Sequence, residues 1–224
     1  PVTEEIIGQD LVREQIRVAE GEALSFSQED LSINGHAIEA RLYAEDPLNG
    51  FLPSPGPVLV WQPSTLGGAR FDSGVEAGSE ISTQFDPMIA KIIVHAPTRR
   101  EAASRLARVL ETTAVQGLKT NRDFLVSTLR TSAYLQAETT TDFIERVKPA
   151  LTRDIAPSEY LEAALATLAE GQARRRASAK VLRMMPSGWR NSSMPLEQIE
   201  FTVNDQVISL AYRRQRDAKF KVVR

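Results

Sequence analysis

The alternation of apolar and polar side chains over residues 36–45 constrains the fold of this chain more than any other feature. In a β-strand successive side chains point to opposite faces of the sheet. One face of this segment is apolar, with Ile38, Ala40, Leu42 and Ala44, and the other is polar, with Glu39, Arg41, Tyr43 and Glu45. The alternation therefore predicts a strand with one face in a hydrophobic core and a second face on which chemistry can be placed.

Capping residues and apolar spacing elsewhere predict helices and strands that alternate irregularly, which is typical of an α+β fold. The predicted elements are a helix from Asp10 to about Ala19, short strands near 58–61 and 69–72, a strand over 88–95, a helix begun by a capping box of Thr98 and Glu101, a helix capped by Asn121, and a short helix over 141–147.

The composition changes after Pro149, so we predict two domains, 1–149 and 150–224. Pro157 suits the first turn of a helix that runs from Ser158 to about Ala179. Strands are predicted near 199–203, 207–213 and 220–223, with Asn204 and Asp205 in a tight hairpin turn between the first two. The second domain is thus a long helix followed by an antiparallel β unit.

Composition excludes several classes of function. The formal net charge of -2 argues against a nucleic-acid binder. The chain has no cysteine and only His36 and His95, so disulfides, thiolate metal sites and a histidine-rich metal site are not expected. No apolar run reaches the roughly 20 residues that span a bilayer, and no signal peptide opens the sequence. A cytosolic protein without a membrane partner is the default expectation. Because the chain opens on Pro1 and ends in a predicted strand, we expect a fragment of a longer polypeptide.

Arg41 is the strongest candidate for chemistry because it lies on the polar face of the predicted strand, between Glu39 and Tyr43. A fixed guanidinium suits bidentate recognition of a carboxylate, phosphate or bicarbonate, and it can stabilise an enolate oxygen. The alternative interpretation is a surface arginine that simply pairs with a neighbouring glutamate.

Asp86 is the second candidate and lies in the turn Phe85-Asp86-Pro87-Met88 before an apolar strand. Its carboxylate can orient an arginine or bind a ligand. The alternative is turn chemistry alone, since an aspartate before proline commonly initiates a turn.

Several segments in order resemble the biotin carboxylase family. Pro1-Val2-Thr3-Glu4 is similar to the end of the family's Glu-His-Pro-Val-Thr-Glu motif, and Gly35 to Pro47 is similar to its Gly-His-Ala-Ile-Glu-x-Arg-x-x-Ala-Glu-Asp-Pro signature. Similar motifs follow at 51–56, 85–91, 117–121 and 142–146. Together they cover about residues 1–147.

The resemblance implies an ATP-grasp fold and an ATP-dependent ligase that uses ATP, Mg²⁺ and bicarbonate to carboxylate biotin. It implies that Arg41 contacts the ureido oxygen of biotin and stabilises its enolate-like form, and that Asp86 lies close to that pocket. In the family the ATP lid, the nucleotide-binding lysines, the magnesium ligands and the catalytic base lie upstream of these motifs. We therefore expect no metal ligands here, and no ATP hydrolysis or biotin carboxylation by this chain alone.

Residues 185–191 resemble the entry to the interaction domain of acyl-CoA carboxylase α subunits, in which a helix is followed by an antiparallel barrel, here truncated. This resemblance implies a carboxyltransferase β subunit and a biotin carboxyl carrier domain as partners, in the bacterial cytoplasm or the mitochondrial matrix. Two alternatives stay open. One is another biotin carboxylase-containing ligase, such as pyruvate or urea carboxylase, and the other is a non-catalytic assembly module.

Overall fold

The computed structural model describes residues 1–181, 184–185, 195–203, 206–215 and 219–223. The chain divides into two compact units, Pro1–Arg153 and Asp154–Arg224. The division thus lies a few residues beyond the change of composition at Pro149. Each unit is described by itself.

The first unit mixes helices with short and long strands. In chain order its elements are α1 (Val2–Ile7), α2 (Leu11–Ala19), β1 (His36–Tyr43), β2 (Glu45–Asp46), β3 (Leu52–Pro53), β4 (Gly56–Pro57), β5 (Val60–Gln62), β6 (Ala69–Ser73), β7 (Glu80–Ile81), β8 (Met88–Ala96), α3 (Arg99–Thr112), β9 (Ala114–Gln116), α4 (Arg122–Arg130), α5 (Ser132–Leu135) and α6 (Phe143–Val147).

The main sheet of this unit has the strand order β1-β8-β6, and both strand pairs are antiparallel. Arg41 stands opposite Lys91 in the register of β1 with β8. The register shifts between Leu42 and Tyr43. The predicted strand over residues 36–45 therefore ends at Tyr43, and the chain resumes as the two-residue strand β2 after this irregularity.

The hydrophobic core of the unit lies between this sheet and α3. The four alternating residues of the apolar face of the predicted strand are buried, and Leu42 and Ala44 are fully so, which confirms that face. Leu106 and Leu110 of α3 join the same core. The Thr98 hydroxyl accepts a hydrogen bond from the Glu101 backbone at 3.2 Å, so the predicted start of this helix is confirmed.

Two other predicted caps have different outcomes. Asp10 caps α2 as predicted, because its carboxylate accepts from the Arg13 backbone N–H at 2.9 Å. Asn121 precedes α4 in sequence, but its side chain makes no capping hydrogen bond, so the predicted cap is wrong. The physical reason is that this buried amide bonds instead to the backbone of β1, as described below.

The second unit contains α7 (Pro157–Ser178) and an antiparallel sheet of β10 (Glu197–Val203), β11 (Gln206–Arg214) and β12 (Phe220–Val223) in that order. Ala164 of α7 is buried with Ile208 and Leu210 of β11. The predicted hairpin turn at residues 204–205, and all of the 185–191 segment except its first residue, lie outside the described residues. None of the helices in the described part of the chain has the length and apolar character to cross a membrane.

Gly117 marks a close backbone crossing in the first unit. Its φ is +110°, and a Cβ at this position would lie 2.1 Å from the carbonyl oxygen of Pro57. Only a residue without a side chain can therefore follow β9 here and bring the chain back across the segment near Pro57.

We expect Gly117→Ala to destabilise the first unit strongly. The positive φ alone costs about 1–3 kcal/mol, and the clash with Pro57 adds to it because two backbones must separate. Urea or thermal unfolding measures the loss. The matched control is Gly67→Ala, because Gly67 has no positive φ and a Cβ there meets nothing within 4 Å. Equal unfolding midpoints for the two variants would contradict the close crossing.

Candidate functional site

A cleft of about 340 Å³ lies beside the polar face of β1. Its polar side is formed by Glu39, Arg41, Tyr43, Glu45 and Asn121. Its apolar side comes largely from aromatic and aliphatic side chains of the loop after β2 and of α4, with Phe51 and Phe124 in edge-to-face contact at 4.9 Å between ring centroids. An apolar wall opposite charged groups is the usual construction of a small-molecule site.

Arg41 projects from β1 at the polar side of this cleft. Its Nε donates to Glu39 Oε1 at 3.0 Å, while 60% of its side chain stays exposed. The hydrogen bond to Glu39, and to a lesser degree the Tyr43 side chain, raise the pKa of the guanidinium. The side chain is therefore held in one direction, permanently charged and still accessible to a ligand.

Asp86 lies at the turn before β8, and Tyr43 joins it to the site. The Tyr43 hydroxyl points to Asp86 Oδ2 at 3.5 Å, and the Ala44 N–H donates to the Pro87 carbonyl at 2.9 Å. Asp86 Oδ1 also accepts from the Met88 N–H at 3.0 Å, so the turn chemistry weighed for this residue is present. Among the ion pairs of the described residues Arg41 pairs with Glu39 and not with Asp86, and the Tyr43 hydroxyl connects Asp86 to the polar face of β1.

Asn121 lines the cleft and forms hydrogen bonds with the backbone of β1. Its Oδ1 accepts from the Tyr43 N–H at 3.0 Å, and its Nδ2 donates to the Arg41 carbonyl at 3.2 Å. Its own N–H donates to the Tyr43 carbonyl at 3.2 Å. Three hydrogen bonds thus fix the backbone from which Arg41 and Tyr43 project.

The segment that carries Asn121 is itself anchored two residues earlier, at Lys119. Lys119 Nζ donates to Asp46 Oδ2 at 2.6 Å, and Asp46 also accepts from the Asn49 amide. The hydrogen bond from Lys119, followed by the one from Asn49, lowers the pKa of Asp46. A buried carboxylate with these donors ties residues 117–121 to β2, the short strand that follows the one carrying Arg41.

Glu45 lines the cleft, and the pKa of its carboxyl group is raised. Burial is the larger cause, and the nearby negative charge of Asp86 adds to it. Both causes favour the protonated form of the Glu45 carboxyl group.

Sequence reasoning placed Glu39, Arg41, Tyr43 and Glu45 on one face correctly but missed two parts of the site. The aromatic wall comes from Phe51 and Phe124, which are 73 positions apart in the numbering and carry no shared pattern. Asn121 was assigned to a helix cap because its position fits one. The one signal in the sequence was that Asn121 belongs to the 117–121 motif. Gly117 in that motif must be glycine for a steric reason, which marks the segment as one that packs closely.

The described residues contain no group of three or more His, Cys, Asp or Glu side chains arranged to hold a metal ion. The groups that line the cleft and can contact a ligand include the guanidinium of Arg41, the side chain of Tyr43 and the apolar wall.

Comparison with known sequences gives the class of this domain. Residues 39–146 match the family described as the biotin carboxylase C-terminal domain. Biotin carboxylase 2 of Bacillus subtilis (strain 168) is 45% identical over 146 residues, which is 65% of this chain and 33% of that protein. The mitochondrial propionyl-CoA carboxylase alpha chain of Homo sapiens is 44% identical over 151 residues, which is 66% of this chain and 21% of that protein.

Comparison with solved structures agrees. The biotin carboxylase domain dimer of the Hydrogenobacter thermophilus 2-oxoglutarate carboxylase, in complex with MgADP, ADP and bicarbonate, matches with a TM-score of 0.67 and 37% identity. The match covers 69% of this chain and 34% of that one. The chain therefore contains, within residues 39–146, a biotin carboxylase C-terminal domain, which confirms the resemblance to this family. It spans about a third or less of the length of these relatives.

We expect Asp46→Asn to lower the melting temperature of the chain at pH 7. The carboxylate has a depressed pKa, so its stabilisation is present above the ordinary aspartate value of 3.8 and is lost as the pH falls through the lower folded pKa. The difference between the variant and the parent chain should therefore shrink below that value. Thermal melts from pH 2 to 7 measure this, with Asp154→Asn, at an exposed position, as the control. A difference that stays constant over this pH range would contradict the assigned role.

Proposed function

We propose that this chain is part of the α subunit of a biotin-dependent acyl-CoA carboxylase. In this proposal ATP and bicarbonate are used to carboxylate biotin that is attached to a carrier domain. The observation that carries the proposal is the guanidinium of Arg41, held by Glu39 and by a rigid strand at the mouth of a half-apolar cleft. It is supported by the family membership of residues 39–146.

Arg41 is proposed to face the ureido oxygen of biotin. Biotin, when bound, supplies a ureido nitrogen that accepts carbon dioxide. A cation already in position when negative charge develops on an oxygen is worth about 3–4 kcal/mol in enzymes where one such donor was removed. The apolar wall of Phe51 and Phe124 fits the uncharged rings, because it excludes water without demanding hydrogen bonds.

Asp86 is proposed to act on Arg41 through Tyr43. The Tyr43 hydroxyl lies 3.5 Å from Asp86 and contributes to the raised pKa of Arg41. A carboxylate at this distance orients the hydroxyl, and the oriented hydroxyl limits where the guanidinium can move. Asp86 is therefore assigned to the biotin and bicarbonate pocket without direct contact with Arg41.

ATP and Mg²⁺ are proposed to be held by other parts of the same subunit. The relatives are about three or more times as long as the portion that this chain matches. We also propose that this chain alone neither hydrolyses ATP nor carboxylates biotin. Bicarbonate-dependent ATP cleavage by the purified chain would overturn that statement.

Residues 150–224 are proposed to begin the domain that joins the biotin carboxylase to its carboxyltransferase β subunit. Support comes from the packing of α7 against the antiparallel sheet. The helix precedes the sheet in the chain, which is the order that the sequence resemblance implies. In the described part of the chain β10 and β12 are the edges of that sheet, and sheet edges invite further pairing. The cytoplasm or the mitochondrial matrix is the proposed compartment.

The alternative is a carboxylase of the same family with another acceptor, such as pyruvate or urea. The match to a 2-oxoglutarate carboxylase domain supports this alternative, since the biotin carboxylase step is shared by enzymes with different acceptors. Supplying the complete enzyme with acyl-CoA thioesters, pyruvate or urea and measuring acceptor-dependent ATP use separates these possibilities.

We expect Arg41→Ala, in the complete subunit, to reduce the rate of biotin carboxylation about 100- to 1000-fold, the cost of losing one preorganised donor. The KM for ATP should change little because Arg41 faces biotin. Arg41→Lys should recover only part of the rate, since an ammonium cannot reproduce the planar fork of donors. Arg100→Ala, an exposed arginine on α3, serves as the control and should leave the rate unchanged. A near-normal rate for Arg41→Ala would remove its assigned role.

We expect deletion of residues 157–224 from the subunit to abolish its capture by the carboxyltransferase β subunit, because the proposed docking domain is then missing. A pull-down with purified β subunit measures this. Arg41→Ala should be captured as well as the parent, because its change is confined to the biotin carboxylase domain. Undiminished capture of the deleted subunit would refute the proposed docking role.

A further inference from the structure

We propose that Asn121 is a positioning residue for the biotin carboxylation step, acting through the backbone of Arg41 and Tyr43. This inference rests on the proposed function of Arg41. It starts from an unexpected contact, because a residue placed to cap a helix turns its amide away from that helix and towards a strand.

The amide of Asn121 occupies the position of a neighbouring strand at the edge of the sheet. Among the described strands β1 pairs only with β8, so its second edge has no strand partner. The Arg41 carbonyl and the Tyr43 N–H are two residues apart, and such groups point to the same edge of a strand. Asn121 satisfies both with one planar group, at 3.2 and 3.0 Å.

This position along β1 is also where the ladder with β8 is irregular. The register shifts between Leu42 and Tyr43, so the regular pairing that fixes Ile38 and Ala40 does not continue through Tyr43. The hydrogen bonds with Asn121 therefore hold the backbone of β1 where its regular pairing with β8 is interrupted. Without them the Cα–Cβ directions of Arg41 and Tyr43 would be set only by the edge of β1 that pairs with β8.

The contact requires an amide and not merely a polar side chain. The neutral amide offers one acceptor to the Tyr43 N–H and one donor to the Arg41 carbonyl. A carboxylate of the same shape keeps the acceptor but faces the Arg41 carbonyl with a second acceptor. Asn121 is only 6% exposed, so water does not readily replace the lost donor.

Asn121 can serve this purpose because its own backbone is anchored. Its N–H bonds to the Tyr43 carbonyl at 3.2 Å, and two residues earlier Lys119 bonds to Asp46 at 2.6 Å. The amide is therefore a fixed support whose position is independent of the guanidinium that it helps to aim. Asn121 touches only the backbone of Arg41, so it is not itself a catalytic residue.

The test is Asn121→Asp in the complete subunit. We expect the kcat for biotin carboxylation to fall about 10- to 100-fold, the range expected for a small misplacement of a reacting group. The KM for ATP should stay within about twofold of the parent value, because the nucleotide does not depend on Arg41. Asn34→Asp adds the same charge at an exposed position and should leave both parameters unchanged.

A double-mutant cycle with Arg41→Ala separates positioning from general damage. If Asn121 acts through Arg41, then Asn121→Asp should cause no further loss, within about twofold, of the residual rate of Arg41→Ala at high enzyme concentration. Thermal melts accompany each variant. If Asn121→Asp does not fold, Asn121→Ala takes its place in the cycle, because it removes both hydrogen bonds without burying a charge.

The outcomes distinguish this inference from the proposed function. A normal rate for Arg41→Ala would remove the role of Arg41 and, with it, the basis for Asn121. A large loss for Arg41→Ala with a normal rate for Asn121→Asp would overturn the positioning role alone. Equal losses from Asn121→Asp in the parent and in the Arg41→Ala background would show a merely structural role and would likewise overturn it.

Discussion

The burial of one face of β1 determines what its other face can present. Ile38, Ala40 and Leu42 are buried in the core that includes side chains of α3, so the strand cannot rotate or slip without exposing them. Because side chains alternate, that same constraint holds Arg41 and Tyr43 on the opposite face. The energy that fixes the direction of the guanidinium is therefore mostly hydrophobic, although the site itself is polar. The polar contacts adjust an orientation that core packing already determines.

The segment from Gly117 to Asn121 completes this arrangement from a distance of about 80 positions along the chain. Gly117 permits the backbones to cross closely near Pro57, Lys119 bonds to Asp46, and Asn121 bonds to the edge of β1. These contacts differ in kind, being steric, ionic and amide-to-backbone in turn. Each fixes a different part of the stretch that begins with the strand carrying Arg41 and ends near Pro57. The cleft is consequently built between two pieces of chain that neither periodicity nor spacing connects.

This explains which parts of the fold could be predicted from the sequence. The faces of β1 and the starts of α2 and α3 follow from local rules, since alternation and the caps at Asp10 and Thr98 act within a few residues. The end of β1 could not be predicted, because the register shift after Leu42 depends on its pairing with β8. Asn121 was misassigned for a related reason. A capping position and an amide that supports a strand have the same local sequence, and only the long-range partner decides between them.

The ion pair of Arg41 with Glu39 suits a binding arginine better than a structural one. Pairs in which one partner is largely exposed contribute little to stability, and 60% of the Arg41 side chain is exposed. A pair of that strength is sufficient to favour one orientation of the side chain before a ligand arrives. It is also weak enough for an incoming oxygen to share or displace Glu39 without a large cost. A fully buried pair would have been more rigid but would have required a far larger desolvation change on binding. The exposure of Arg41, which taken alone would suggest an ordinary surface residue, is therefore compatible with a cation that must be oriented, charged and still open to its ligand.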